Sequence, residues 1–195
     1  MTDEVQQAQY INMFKEQGMD AVILKHPIDQ PFISVLEGDD ENLKFHRIDT
    51  DLSDVFKEEV SEEDSKVLEE NTKTLTEIFK KALGRENLEV KVEKLKNAET
   101  SSMITLKEES RRMQDMMKMY GMTDMSMFGN EGETLILNAN HTLVKYILEH
   151  GEGEHTDIIC QQLYDLALLS HKPLEAAALT AFIQRSNKIM EILAK

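Results

Sequence analysis

The side chains best placed to do chemistry in this chain are soft rather than nucleophilic. Met103, Met113, Met116, Met117, Met119, Met122, Met125 and Met127 crowd into one stretch and make up most of its 12 methionines. Flexible, polarizable thioethers on an accessible face can grip many different apolar partners, whereas buried ones fill gaps in a core. Directly after them comes Leu135-Ile136-Leu137-Asn138-Ala139-Asn140-His141-Thr142-Leu143-Val144-Lys145. Asn138, Asn140 and His141 resemble a catalytic cluster in composition, but no nucleophile of convincing context stands near them, and turn formation and capping account for these residue types. His150, Glu152, Glu154 and His155 are metal-ligand types. Gly151 and Gly153 interrupt them and prevent helical i, i+4 placement, so no metal site is expected. Cys160 is the single cysteine; it excludes an internal disulfide framework and suits a reducing compartment. Within an apolar helix it reads as a small buried hydrophobe rather than a reactive thiol.

Composition narrows the field further. A chain of 195 residues with 41% hydrophobic content can bury a real core as one large domain or two small ones. The net charge of −15 argues against nucleic acid and against anionic membrane surfaces as partners. No apolar run approaches the roughly 18 residues of a membrane span, and the amino terminus is not signal-like. A cytosolic protein is expected.

The elements that must position these residues follow from periodicity. Val5, Ala8, Ile11, Met13 and Phe14 are spaced as one helix over residues 4–17, ended by Gly18. Ala21-Val22-Ile23-Leu24 reads as a short strand buried on both faces. Ile28, Phe32, Ile33, Val35 and Leu36 predict a short helix closed by Gly38, and residues 42–48 predict another strand, giving a small αβα unit. Asp49, Asp51, Asp54, Glu58, Glu59, Glu62, Glu63 and Asp64 form an acidic connector, which places a domain boundary near residue 60. Ser61 then caps a long helix carrying Val67, Leu68, Leu75, Ile78, Phe79, Ala82 and Leu83 and stopped by Gly84. Leu88, Val90 and Val92 alternate with charges as a half-exposed strand, and residues 103–106 and 134–137 supply two more.

Between those last two strands lies a helix that Ser110 could cap and Gly121 would end, with Met113, Met116, Met117 and Tyr120 at i, i+3, i+4 and i+7 on one face. The Gly129 and Gly132 stretch after it reads as a loop. Asn140 is placed as the N-cap of a short helix holding Leu143, Val144, Ile147 and Leu148. Two long apolar helices close the chain, one over residues 156–170 and one starting near Pro173. A terminal helix this apolar either packs inward or meets a copy of itself, and two such helices from each of two subunits make a four-helix bundle.

Three segments, in order, resemble the ninety-kilodalton heat-shock chaperones, and their bacterial branch most closely. They are Gly18-Met19-Asp20-Ala21-Val22-Ile23-Leu24-Lys25-His26-Pro27-Ile28-Asp29, then residues 135–141 with Leu143-Val144, then Leu163-Tyr164-Asp165-Leu166-Ala167-Leu168-Leu169-Ser170. The family has Asn-Pro-Asp where this chain has Asn138-Ala139-Asn140, an aromatic at the place of Pro31 and an acid at the place of His26. The acidic pentapeptide by which cytosolic eukaryotic members recruit tetratricopeptide partners is not found at the end of the chain, so that role is not carried over.

The resemblance implies an α+β carboxy-terminal fragment: the small αβα unit, then a mixed α/β domain with a short three-stranded sheet and helices forming a dimeric four-helix bundle. Residues 1–60 correspond to the end of the middle domain plus the acidic connector, and residues 61–195 to the dimerisation domain. It implies a homodimer whose interface draws on Leu166, Leu169, Leu179, Phe182, Ser186, Ile189, Met190 and Leu193. Periodicity alone does not settle which of these face the partner. The amphipathic helix of the family helps contact client proteins, and Met113, Met116, Met117 and Tyr120 fall on that face, so partly unfolded clients are expected partners. The alternative is a purely structural dimerisation module whose Met face packs against its own domain. The family's ATP and magnesium are held by an amino-terminal domain whose elements do not occur in these residues, so no cofactor, no catalytic residue and no ATPase activity are expected of this chain.

Overall fold

The computed structural model describes residues 7–24, 26, 28–45, 48, 56–106 and 132–194. Its architectural centre is a three-stranded sheet built from β1 (Glu89–Glu93), β2 (Ser102–Leu106) and β3 (Glu133–Asn138), in the order β1-β3-β2. β1 runs parallel to β3, with Val90 opposite Leu135 and Val92 opposite Leu137. β2 runs antiparallel to it, with Ile104 opposite Leu135 and Met103 opposite Ile136. Every residue of the central strand β3 is buried. Its unbroken apolar run supplies both faces in alternation: Leu135 and Leu137 point one way and Ile136 the other. The alternation of β1 predicts one exposed edge, and Lys91 lies on it.

Helices cover the first face. α3 (Glu62–Leu83) starts at Ser61, whose hydroxyl accepts the Asp64 N–H at 3.1 Å. Glu62, Glu63 and Asp64 complement the positive end of the helix dipole, and Lys80 and Lys81 the negative end. Gly84 closes it in the left-handed region at φ 62, where a side chain would be strained. Lys94 hydrogen-bonds Asp64 at 3.2 Å and holds that carboxyl below its usual range. Leu68, Leu75 and Phe79 form the buried stripe of α3 and meet Val90, Val92, Leu135 and Leu137. Thr72 fastens the same helix to the sheet, accepting the Val92 N–H at 3.2 Å while donating to Leu68 O at 2.8 Å. α4 (Thr142–Glu149) adds Val144 and Ile147, and α5 (Thr156–Leu169) adds Cys160, Leu163, Tyr164, Ala167 and Leu168.

The second face is covered by α1 (Ala8–Glu16). Tyr10 and Met13 pack with Met103, Ile136, Leu95 and Phe56, and the Tyr10 hydroxyl donates to Ile104 O at 2.5 Å. Gly18 ends this helix at φ 69, with its N–H on Lys15 O and that of Met19 on Phe14 O, both at 3.0 Å. Phe56 and Phe14 meet edge to face at 4.7 Å, and residues 56–58 pair with residues 94–96 through a single antiparallel bridge. Among the described residues the fold is therefore α+β, with six helices and a small mixed sheet.

Four local expectations are corrected. Residues 21–24 form no strand, and Val22 and Ile23 are exposed. A doubly buried strand needs neighbours to satisfy its N–H and C=O groups, and no described segment pairs with it. Residues 42–45 are likewise unpaired and exposed, while α2 (Asp29–Asp39) runs through Gly38 instead of stopping there. The last helix, α6 (Ala176–Leu193), begins three residues after Pro173, with Glu175 at its N-cap. No described helix is long and apolar enough to cross a membrane.

Candidate self-association face

α5 and α6 are both rich in apolar side chains, but only α5 reaches the core. α6 buries none of its residues. Its half-buried side, which includes Phe182, Arg185, Ser186, Ile189 and Ile192, rests on α5. That contact is organised by polar groups. The Arg185 guanidinium pairs with Asp165, and their side chains are only 11% and 15% exposed. Arg185 Nε donates to Gln162 Oε1 at 2.9 Å and Nη1 to Gln161 Oε1 at 3.4 Å. Gln162 Nε2 donates to Ser186 Oγ at 3.1 Å, and that hydroxyl donates on to Phe182 O at 2.8 Å. The guanidinium also lies over the Phe182 ring, 5.9 Å from its centroid.

The outward side of α6 is apolar. Leu179, Ile183, Met190 and Leu193 are 41%, 51%, 58% and 80% exposed. With Ala176 they follow the alternating three-and-four spacing of a heptad seam, interrupted at Ser186, which is turned to α5. Leu166 on α5 is exposed as well, at the rim of a cleft shared with α1. Of the residues named from sequence, Leu166, Leu179, Met190 and Leu193 lie open, while Leu169, Phe182, Ser186 and Ile189 are half-buried. Ile183 and Ala176 were missed as members of the seam, although counting in steps of three and four from Leu179 finds both. Asp165, Gln162 and Arg185 were also missed, because their pairing depends on how two helices meet.

The block that resembled a catalytic cluster is a structural knot. Asn138 is fully buried, and its Oδ1 accepts the N–H groups of Leu95 at 3.1 Å and Asn140 at 3.0 Å. Its Nδ2 donates to Asn97 O at 2.9 Å and Thr100 O at 2.8 Å. All four hydrogen-bonding positions of the carboxamide are thus used, three to tie the end of β3 to the β1–β2 connection and one to close its own turn. Asn140 does not cap α4. It donates from Nδ2 to Leu95 O at 3.0 Å, and the cap falls to the next residue: His141 Nδ1 accepts the Leu143 N–H at 3.2 Å. The shift by one residue follows from Asn140 being drawn into the Asn138 turn. Partial burial lowers the His141 pKa below its usual value.

Cys160 is fully buried in α5, and burial, with the charge of Asp157 adding to it, pushes its thiol up to about 12. That fits the inert packing role and not a nucleophile. Among the described residues no three His, Cys, Asp or Glu side chains gather as metal ligands. A cleft of about 350 Å³ between α1 and residues 97–102, lined by Gln9, Asn12, Glu16, Asn97 and Ser102, also brings no catalytic set together. Met113, Met116, Met117 and Tyr120 lie outside the described residues.

The described residues define a class of fold: a small mixed sheet clothed by helices, ending in a helix whose outer apolar side is uncovered. The comparison with known proteins gives the class its name: the Hsp90 protein family matches residues 1–194, and the chain belongs to that family. Among its relatives is the chaperone protein htpG of Bacteroides fragilis (strain YCH46), 32% identical over 157 residues that cover 76% of this chain and 22% of the relative. The chaperone protein HtpG of Porphyromonas gingivalis (strain W83) is 29% identical over 163 residues, covering 80% and 23%. That of Chromobacterium violaceum is 28% identical over 186 residues, covering 93% and 28%. The chain thus spans roughly a quarter of the length of these relatives.

Proposed function

We propose that this chain is a homodimerisation and client-contact module of an Hsp90-type chaperone. In this reading residues 61–195 form the dimerisation domain and residues 1–60 the end of a middle domain with its connector. The nucleotide chemistry belongs to parts of the longer relatives that this chain does not match, and the compartment is the cytoplasm.

The observation that carries the reading is the exposed seam of α6. Each large aliphatic side chain fully withdrawn from water contributes about 1.5–3 kcal/mol, which an unpaired seam forgoes. Two copies of a heptad seam are self-complementary, and with α5 alongside they make four helices around one core. Charge allows a second copy as the occupant. The chain carries −15, and its copies repel each other, but on α6 Arg185 is neutralised by Asp165, and the exposed Lys188 and Glu191 balance. Like molecules therefore meet at this face without added repulsion from α6.

Light scattering over a dilution series tests it. A mass twice 22.4 kDa is expected at micromolar concentration. Ile183→Glu, which buries a charge in the seam, should raise the dissociation constant at least 100-fold without loss of helicity. A folded parent that stays monomeric at every concentration sinks the dimer. The client role rests on Met113, Met116, Met117 and Tyr120. Replacing the three methionines with Ser should abolish suppression of aggregation of an unfolded substrate while the mass and melting temperature hold. If the parent suppresses no aggregation, the purely structural dimerisation module is the better reading.

A further inference from the structure

The polar contact between α5 and α6 has a role beyond holding two helices together. Apolar side chains lie on both sides of α6, with Phe182, Ile189 and Ile192 resting on α5. Leu179, Ile183, Met190 and Leu193 point to water, while Arg185 and Ser186 point to α5. At about 100° per residue, Arg185 sits roughly 120° round the helix from the middle of the apolar seam. A roll of that size would lay the seam onto α5 and close the molecule as a monomer. That roll would exchange Phe182, Ile189 and Ile192 for Leu179, Ile183 and Met190, so the non-directional hydrophobic effect does not by itself choose between the two sides. What opposes it is directional: Arg185 reaches Asp165, Gln162 and Gln161, and Ser186 accepts from Gln162. These acceptors lie on successive turns of one side of α5, so they fix the helix both in rotation and along its axis. Rolling α6 would strand the Asp165 carboxylate without its cation, an arrangement far costlier than an exposed leucine.

We infer that the Arg185–Asp165–Gln162–Ser186 network is a rotational lock that keeps the seam of α6 facing outward for a second copy of the chain. Arg185 and Asp165 are then positioning residues for self-association. The inference rests on the dimer reading above but can fail separately from it.

The test uses the full chain and two substitutions that act differently on packing. Arg185→Met keeps the length of the side chain and removes every directional bond. Asp165→Asn keeps the shape and removes the charge. Both should weaken the dimer at least tenfold by sedimentation equilibrium, and Arg185→Lys, which retains the cation, should recover part of the loss. The buried Cys160 thiol provides the readout that a merely structural role would move. Its reaction with a disulfide reagent should stay as slow in the two variants as in the parent, because the core is untouched. Dimers of unchanged affinity in both variants overturn the lock and leave the dimer standing. Weakened dimers whose Cys160 reacts in proportion also overturn it, since the network would then only stabilise the fold. A monomeric parent removes the dimer itself.

Discussion

α5 and α6 follow one another in the chain, are of similar apolar content, and end in opposite circumstances. α5 buries Thr156, Cys160, Leu163, Tyr164, Ala167 and Leu168 against the sheet, while α6 buries nothing. The difference lies in where each helix keeps its polar groups. α5 gathers Gln161, Gln162 and Asp165 away from the sheet, so its apolar side turns to the core and its polar side becomes a bed for the next helix. α6 answers that bed with Arg185 and Ser186 beside Phe182, Ile189 and Ile192, and the commitment of those two polar residues leaves Leu179, Ile183, Met190 and Leu193 outward. Apolar content sets how much surface seeks cover; the few directional groups decide which surface gets it inside one chain and which is left for another.

Substitution separates the two helices most sharply. Leu163→Ala should cost about 2–5 kcal/mol in chemical denaturation, because it opens a cavity against α3 and the sheet. Ile183→Ala should leave the stability of the monomer within about 0.5 kcal/mol and weaken only association, since its side chain is half open to water. Equal losses at the two positions would break the contrast and place the seam inside the fold. A smaller effect comes from acid. His141 caps α4 through an unprotonated Nδ1, and its pKa lies below the ordinary 6.5. Between the two values the unfolded chain binds more protons than the folded one, so stability rises with pH there. The contribution is complete above pH 6.5 and fades as the pH drops through the folded value. It should amount to no more than about 1 kcal/mol, and His141→Asn, which still caps, should flatten melting temperature across that window while the α6 seam is unaffected.

Much of the fold was legible because local signals and burial agree. The Ser61 cap and Gly84 stop bracket α3, Val90 and Val92 alternate with charges in β1, and residues 135–137 form the uninterrupted central strand. The failures come where a short segment depends on a partner. Ala21-Val22-Ile23-Leu24 has the composition of a buried strand, but composition cannot provide the neighbour that would pair its backbone. Asn140 and His141 are both cap-forming residues, and only the competing demand of the Asn138 turn decides between them. For the candidate face, the spacing of Leu179, Met190 and Leu193 was readable, and their exposure agrees with it. The network through Arg185 was not, since Asp165 and Arg185 lie 20 residues apart and meet only once two helices cross at a particular angle.

Asn138 also bears on how the protein ages. An Asn followed by a small residue deamidates when the next backbone nitrogen attacks the side-chain carbonyl to close a succinimide ring. Here that nitrogen, on Ala139, donates to Glu93 O at 2.9 Å, and the carbonyl it would attack is pinned by two N–H groups. The folded chain is thereby shielded from spontaneous conversion to aspartate at a fully buried position, where a new carboxylate would be ruinous. Chemical damage at this site then accumulates only through molecules that have transiently opened, at a pace set by how seldom the sheet lets go of its turn.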